Sequence, residues 1–526
     1  MRVDLAAAGL LPGLPAAFLA GRDRDLLAPL RFLPPRETPS GPPIPGARRE
    51  VAEALAVTNG SYGHPKADEL ARKLADPATR VVVTGQQPGL LGGPLYSVAK
   101  AVAAARWAAE LEARGEPAVA VFWVSTEDHD WAEVSSAVVP TAEGPRSFDL
   151  GPDPEPLMPV GMRTFGPGIA EVLRSLAEAV PGERYADWLA EAGRWYRPNA
   201  RFGEAFCRLM AAVLGPHCPL LLDSLLPALK AAQRPWLRRI VERREAFDEA
   251  IATREAEIQA RGHSLQVSSH PGLSPLFLLS RGERRRIEWR GGDAWSLRGR
   301  EGDGGDVAEL LRIVDENPEV VSPGVLARTA IQDAVLGSYL QVLGPGELSY
   351  MAQVSAIYPV LEVEAPWTSL RPQTLVLDAN QIEKLEGLGI SLADLIGDRQ
   401  RLDRALAEDG DFVTSVRARV EEALATLRDP ALATDPNLER PLEKTREQIL
   451  RALDTFADKV VSASARRNEV RTRRVEQLRE AVLPQGRLQE RVVASAHFPG
   501  KYGSGFVESY WEQMELDPSF LQVVSV

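Results

Sequence analysis

Two hydrophobic periods alternate in the first third of the chain. In RVVVTGQQPGLLGGPLYSVAK, Val81–Val83 form an unbroken β-branched run, the pattern of a strand buried on both faces. After Pro94 the period lengthens. Leu95, Val98, Val102, Ala105 and Ala109 recur at spacings of three and four, one face of a helix. Pro94 suits the first turn of that helix and Gly115 its stop. AVAVFWVSTEDHDWAEV then supplies a second apolar run that ends in acids. Strand, helix, strand predicts a βαβ unit and a parallel sheet. A third strand is expected over Pro219–Asp223, and alternation over 274–300 predicts antiparallel strands. Helices are expected over 49–75, 169–215 and 230–261, and LGPGELSYMAQ reads as a Gly-rich turn opening another. The Pro-rich stretches 31–48 and 141–168 read as a surface arm and an insertion.

From about 376 the pattern changes. Ile449, Leu453, Phe456, Val460 and Ala463 step by four and three, and Arg467, Val470 and Arg474 continue the rhythm. No Gly or Pro falls between 442 and 483, so this is heptad spacing on a long helix. Pro430 and Pro436 interrupt the preceding helix. The spacing predicts an antiparallel helical hairpin, 398–429 against 437–483. The expected fold class is α/β: a Rossmann-like parallel-sheet core with insertions, plus an α-helical antiparallel coiled-coil domain. The expected domains are a core over 1–375, the hairpin over 376–484, and a segment over 485–526 that returns to the core. The apolar stripe exceeds what one neighbouring helix covers, which predicts a homodimer through the hairpin.

Charge and composition narrow the function. With 61 basic and 73 acidic residues the chain carries −12, which repels phosphate backbones and argues against nucleic acid as a partner. Two cysteines, Cys207 and Cys218, exclude a disulfide framework and fit a reducing compartment. Asp4 and Pro12 interrupt the N-terminal apolar stretch, so no signal peptide is read, and no run approaches the ~20 apolar residues of a membrane span. The expected location is cytoplasmic.

Candidate chemistry gathers after the first two strands. Gly85-Gln86-Gln87-Pro88-Gly89 lies between a strand end and a helix start, where open α/β sheets bind ligands. Glycines admit close backbone approach, helix N-termini favour anions, and glutamines offer neutral donors and acceptors. A connecting turn would need fewer polar positions. Glu127-Asp128-His129-Asp130 follows the second strand on the same sheet edge. Such a cluster can take a proton, hold an ammonium group or bind a metal; alone it would read as a solvated acidic turn. The six histidines show no HxxxH or HxH spacing, so no metal is expected. Cys207 and Cys218 read as buried small hydrophobes. There is no GxxxxGK[ST], which excludes a P-loop NTPase; no GxGxxG follows a strand, and GxSxG is missing in strand-to-helix context.

VVVTGQQPGLLGGPLYSVAK and FWVSTEDHDWAEV resemble the bacillithiol biosynthesis cysteine-adding enzyme family. The likeness continues in order through SPGVLARTAIQD, LGPGELSYMAQ and LPQGRLQERVVASAHFPGKYGSGF, across essentially the whole chain. The resemblance implies a core similar to class I aminoacyl-tRNA synthetases and related nucleotidyltransferases, and a coiled coil that pairs two subunits. It implies the joining of L-cysteine to the amino group of glucosaminyl malate. Arg328-Thr329 stands where the family pattern suggests Arg-Pro, and the N-terminal arm is unusually rich in Pro. Neither an HxGH nor a KMSKS-like loop is present, so ATP and a cysteinyl-adenylate rest on fold analogy. The expected roles are these. Gly85, Gln86, Gln87 and the helix start from Gly93 to Tyr96 hold substrate anions. Asp128 or His129 takes the proton of the attacking amine. Lys100 meets a phosphate or carboxylate, Glu127 and Asp130 flank the substrate, and Glu347 and Tyr350 complete the pocket. The rival readings are a nucleotidyltransferase or ligase with another amine acceptor, and a non-catalytic nucleotide-binding coiled-coil protein.

Overall fold

The computed structural model describes residues 1–526 apart from 12, 268, 301, 407–409 and 468; at 410–414, 461, 463–467 and 469–470 the description is of backbone only. The chain divides into two units, Met1–Val3 with Leu377–Arg487, and Asp4–Val376 with Leu488–Val526.

The larger unit is built on a six-stranded sheet: β1 (Arg31–Phe32), β2 (Arg80–Gln86), β3 (Ala118–Val124), β4 (Leu220–Asp223), β5 (Ser338–Leu343) and β6 (Trp367–Leu370). Their order is β1-β6-β5-β2-β3-β4, and every neighbouring pair is parallel. All seven residues of β3 are buried, as a strand covered on both faces requires. Helix α1 (Tyr96–Ala113) crosses from β2 to β3. The chain grows outward from β2 to β4, then returns to β5 on the other side of β2. The strand order therefore reverses between β2 and β5, which puts the crevice of a doubly wound sheet at their C-terminal ends. Gly85 is required there: a Cβ on it would lie 2.7 Å from the Trp123 carbonyl oxygen on β3. A second, antiparallel sheet contains Leu273–Ser280, Glu283–Gly291 and Val321–Pro323.

Several expectations change in detail. The Pro-rich stretch 31–48 is not a free arm. It supplies edge strand β1, and buried Arg48 donates to the carbonyls of Leu336, Asp76 and Thr79. Residues 230–261 lie in two helices, Pro227–Glu242 and Arg244–Ala260, because Arg243 leaves helical geometry (φ −110°, ψ 26°). Part of the insertion is ordered as a hairpin, Ser136–Thr141 with Gly144–Asp149. Pro94 precedes α1 rather than opening it.

The smaller unit is helical. Its long members are Gly410–Ala425, Glu439–Arg467 and Glu469–Val482. Pro430 sits inside a short helix, Arg428–Thr434, in the first turn, where its missing N–H costs nothing. Ion pairs Arg404–Asp458 (2.9 Å) and Arg417–Asp454 (2.5 Å) cross from the earlier helices onto Glu439–Arg467. On that helix Ile449 is 38% and Phe456 62% exposed. The side chains of Ala463, Arg467 and Val470 lie outside the described residues, and Arg474 is exposed. Among the described residues no helix is long and apolar enough to cross a membrane.

Candidate active-site cleft

The loops that leave β2, β3 and β5 converge on a cavity of about 250 Å³. Gly85, Gln86 and Gln87 come from β2 and its loop; Ser125, Glu127, Asp128 and Glu133 follow β3. Helices α3 (Val325–Leu336) and α4 (Pro345–Val354) contribute Arg328, Glu347 and Tyr350, and Arg284 reaches in from the antiparallel sheet.

Short hydrogen bonds lock these groups together. Gln87 Nε2 donates to Asp128 Oδ2 at 2.6 Å, joining the two loops the sequence singled out. Asp128 also accepts from the His129 backbone N–H (2.7 Å), and Arg284 Nη1 lies 3.6 Å from it. Burial opposes ionisation, but Arg284 and these donors outweigh it and hold the Asp128 carboxyl below its usual range. Gln86 Nε2 donates to Tyr96 Oη (3.3 Å) and to Glu133 Oε1 (3.2 Å). Burial in the cleft, with Asp130 and Asp128 nearby, pushes Glu133 up to about 7.

Lys100 is buried, and its ammonium makes three contacts: Gly85 O (2.7 Å), Gln86 Oε1 (2.8 Å) and Glu347 Oε2 (2.5 Å). These match its three protons, so Lys100 braces the β2 loop against α4 and has no proton left for a substrate anion. Glu347 also caps α4 by accepting from Gly344 N–H at 2.7 Å. Glu127 is buried and paired with buried Lys230 at 3.1 Å.

Three more expected site residues have other work. Gly93 gives its carbonyl to Ser495 N–H (2.7 Å), within a seam that also joins Leu95 N–H to Val493 O and Ala496 N–H to Leu91 O. The segment after 488 thus clamps the approach to α1. Asp130 caps the short helix α2 (Trp131–Val134) by accepting from Glu133 N–H at 3.2 Å. His129 stands beside the cleft with Nδ1 3.3 Å from Arg284 Nη1; burial and that cation keep it neutral. Tyr96 takes part through Gln86, and burial raises its hydroxyl to about 12.

Sequence reasoning did not place Arg284 or Glu133 in the site, and it met Arg328 only as a position in a family block. Arg284 lies in GERRRIEW, within the alternating stretch expected to form antiparallel strands, and there it is buried and stacks 3.9 Å from the Phe277 ring. Arg371 and Glu490 form a buried bidentate pair (2.6 and 2.9 Å) behind the cleft, linking the loop after β6 to the C-terminal segment. Cys207 and Cys218 are buried, with thiols raised by burial, as expected of packing residues. Among the described residues no group of three or more His, Cys, Asp or Glu side chains could hold a metal ion.

A doubly wound core with a polar cleft at its switch point, carrying a helical domain near its C-terminus, defines a Rossmann-like small-molecule enzyme core. Residues 36–372 match the N-terminal Rossmann-like domain of bacillithiol biosynthesis BshC, and 374–521 match its C-terminal coiled-coil domain. The chain belongs to the BshC family. Its relatives include proteins named "Putative cysteine ligase BshC" from Salinibacter ruber, 31% identical over 92% of this chain and 89% of that protein, and from Solibacter usitatus, 30% over 90% and 88%. The relative of the same name from Heliobacterium modesticaldum is 30% identical over 89% of this chain and 87% of its own length.

Proposed function

We propose that this protein is a cysteine ligase of bacillithiol biosynthesis that joins the carboxyl of L-cysteine to the amino group of glucosaminyl malate. The observation that carries the reading is the cleft itself. It places glutamine amides, carboxylates and two guanidiniums around about 250 Å³, at the sheet edge where such cores bind ligands. Both substrates bear amines and carboxylates, the groups that this lining complements.

A free carboxylate is a poor acyl donor, so the cysteine carboxyl must be activated; bound ATP would supply that chemistry. The lining sets two guanidiniums, Arg284 and Arg328, among four carboxylates. Arg328 has only neutral hydrogen-bond partners, Gln332 and Tyr350, among the described residues, so it is the cation there that a ligand anion could meet. The Gln87–Asp128 bond fixes the floor of the cleft, and Lys100 holds the β2 loop against α4. The amine nitrogen then bonds the cysteinyl carbonyl carbon, the activating group leaves with the C–O electron pair, and the nitrogen loses a proton. We further propose that the protein acts in the cytoplasm as a homodimer.

The test is incubation of the purified protein with labelled ATP, L-cysteine and glucosaminyl malate. Product with AMP release is expected. Nucleotide binding without turnover would support the scaffold reading instead. Thiol profiling of a deletion strain gives the cellular counterpart: loss of bacillithiol with accumulation of glucosaminyl malate.

A further inference from the structure

Most charges around the cleft are matched within the protein. Glu127 meets Lys230 at 3.1 Å, Glu347 meets Lys100 at 2.5 Å, and Arg284 lies 3.6 Å from Asp128. Two groups in the lining are left over. Arg328 on α3 donates from Nη1 to Gln332 Oε1 (3.2 Å) and from Nη2 to Tyr350 Oη (3.3 Å). Both partners are neutral, so they orient the guanidinium without cancelling its charge. Glu133 on α2 accepts one bond, from the neutral Gln86 amide, and forms no ion pair among the described residues. Arg328 is half-buried and Glu133 is exposed on the cleft wall. Neither has a partner of opposite charge in contact among the described residues, so a ligand in the cleft can reach a guanidinium and a carboxylate that the protein leaves without ion pairs.

We infer that Glu133 accepts the proton of the attacking amine and that Arg328 anchors a carboxylate of the same acceptor molecule. The assignment rests on the ligase reading above. At neutral pH the acceptor arrives as R–NH3+. Transfer of one proton to the Glu133 carboxylate gives R–NH2 and a neutral carboxylic acid, and frees the nitrogen lone pair for attack; the second proton leaves the nitrogen for bulk water as the amide forms. Asp128 is a poor candidate for this step, being held below the usual range and occupied by Gln87, Arg284 and the His129 N–H. Glu133 faces Asp130 and Asp128 from its own loop, Lys100 from α1 and Glu347 from α4. With those neighbours its proton affinity sits near the working pH, where a general base is most effective.

The test separates the two roles. Glu133→Gln should lower kcat by about a hundredfold or more, with the acceptor KM little changed. Glu133→Asp should recover part of the rate. In the wild type, kcat/KM should fall on the acid side of about pH 7, and that limb should vanish from the residual activity of Glu133→Gln. Arg328→Gln should raise the acceptor KM by about tenfold or more with kcat nearly kept, and Arg328→Lys should restore part of the affinity. A Glu133→Gln enzyme that keeps a tenth of its rate and its acid limb overturns the first assignment. An Arg328→Gln enzyme whose KM rises only for ATP or cysteine overturns the second. One arm needs no turnover: L-malate should raise the melting temperature of the wild type and of Glu133→Gln, but not of Arg328→Gln. Equal protection of Arg328→Gln by malate overturns the anchor. If the wild type binds malate yet makes no product, the ligase reading has failed rather than the anchor. Glu133 is then read directly by 13C NMR of labelled carboxyls, where titration near neutrality upholds its role and titration in the ordinary carboxylate range overturns it.

Discussion

Gln87 and Asp128 come from different strand ends, 41 residues apart, and meet at 2.6 Å. Removing either should open the floor of the cleft without disturbing the sheet beneath. Gln87→Ala and Asp128→Ala are expected to abolish product while the melting temperature, read by scanning calorimetry, moves only a few degrees. Asp333 should behave differently. It is buried at the end of α3, hydrogen-bonded to Tyr358 and Gln341, and burial raises its carboxyl to about 7. Between its ordinary value and 7 the folded chain holds this proton while the unfolded chain releases it. Folding stability therefore falls as pH rises through that window, by at most about 1.4 kcal/mol per pH unit. Asp333→Asn should flatten this slope in urea titrations run from pH 5 to 8; an unchanged slope would assign it to other groups.

Among the elements, β2, α1 and β3 were legible because their apolar periods are long and clean. The loops of the cleft were legible because residue type and strand-end position coincide. Strand order was not legible: that β5 returns beside β2, creating the switch point, depends on pairings hundreds of residues apart. Helix α2, with four residues, is too short to show a period, which hid Glu133 three positions beyond the Glu127–Asp130 quartet that drew attention to Asp128 and His129. Arg328 lay inside a recognised block, but only the fold shows that its partners are neutral. The Arg371–Glu490 pair was equally hidden, joining the loop after β6 to a segment more than a hundred residues later. Glu490→Gln leaves a buried guanidinium short of its counter-charge and should cost about 3–5 kcal/mol in denaturant unfolding. Replacing both partners by hydrophobic residues, Arg371→Met with Glu490→Leu, should cost less than the single change.

At the scale of the whole molecule, the helical unit presents Leu427, Leu438, Ile449 and Phe456 to solvent. Apolar side chains exposed along one unit are what a self-complementary interface uses, and a two-fold dimer closes such a surface. Light scattering at micromolar concentration should give about twice the 57.3 kDa chain mass. Phe456→Glu should shift the protein to monomer, and a monomeric wild type would remove the proposal.

The seam between the loop before α1 and residues 493–496 has a consequence for how the protein is made. A ribosome releases β2, its loop and α1 early, yet the strap that pins this loop is translated only after the whole helical unit. During synthesis of the entire helical unit, the backbone groups of Leu91, Gly93 and Leu95 must wait for partners that do not yet exist. The candidate cleft therefore matures only once that strap has been made, and a chain cut short within the helical unit would carry every residue that lines the cleft and still lack a fixed one.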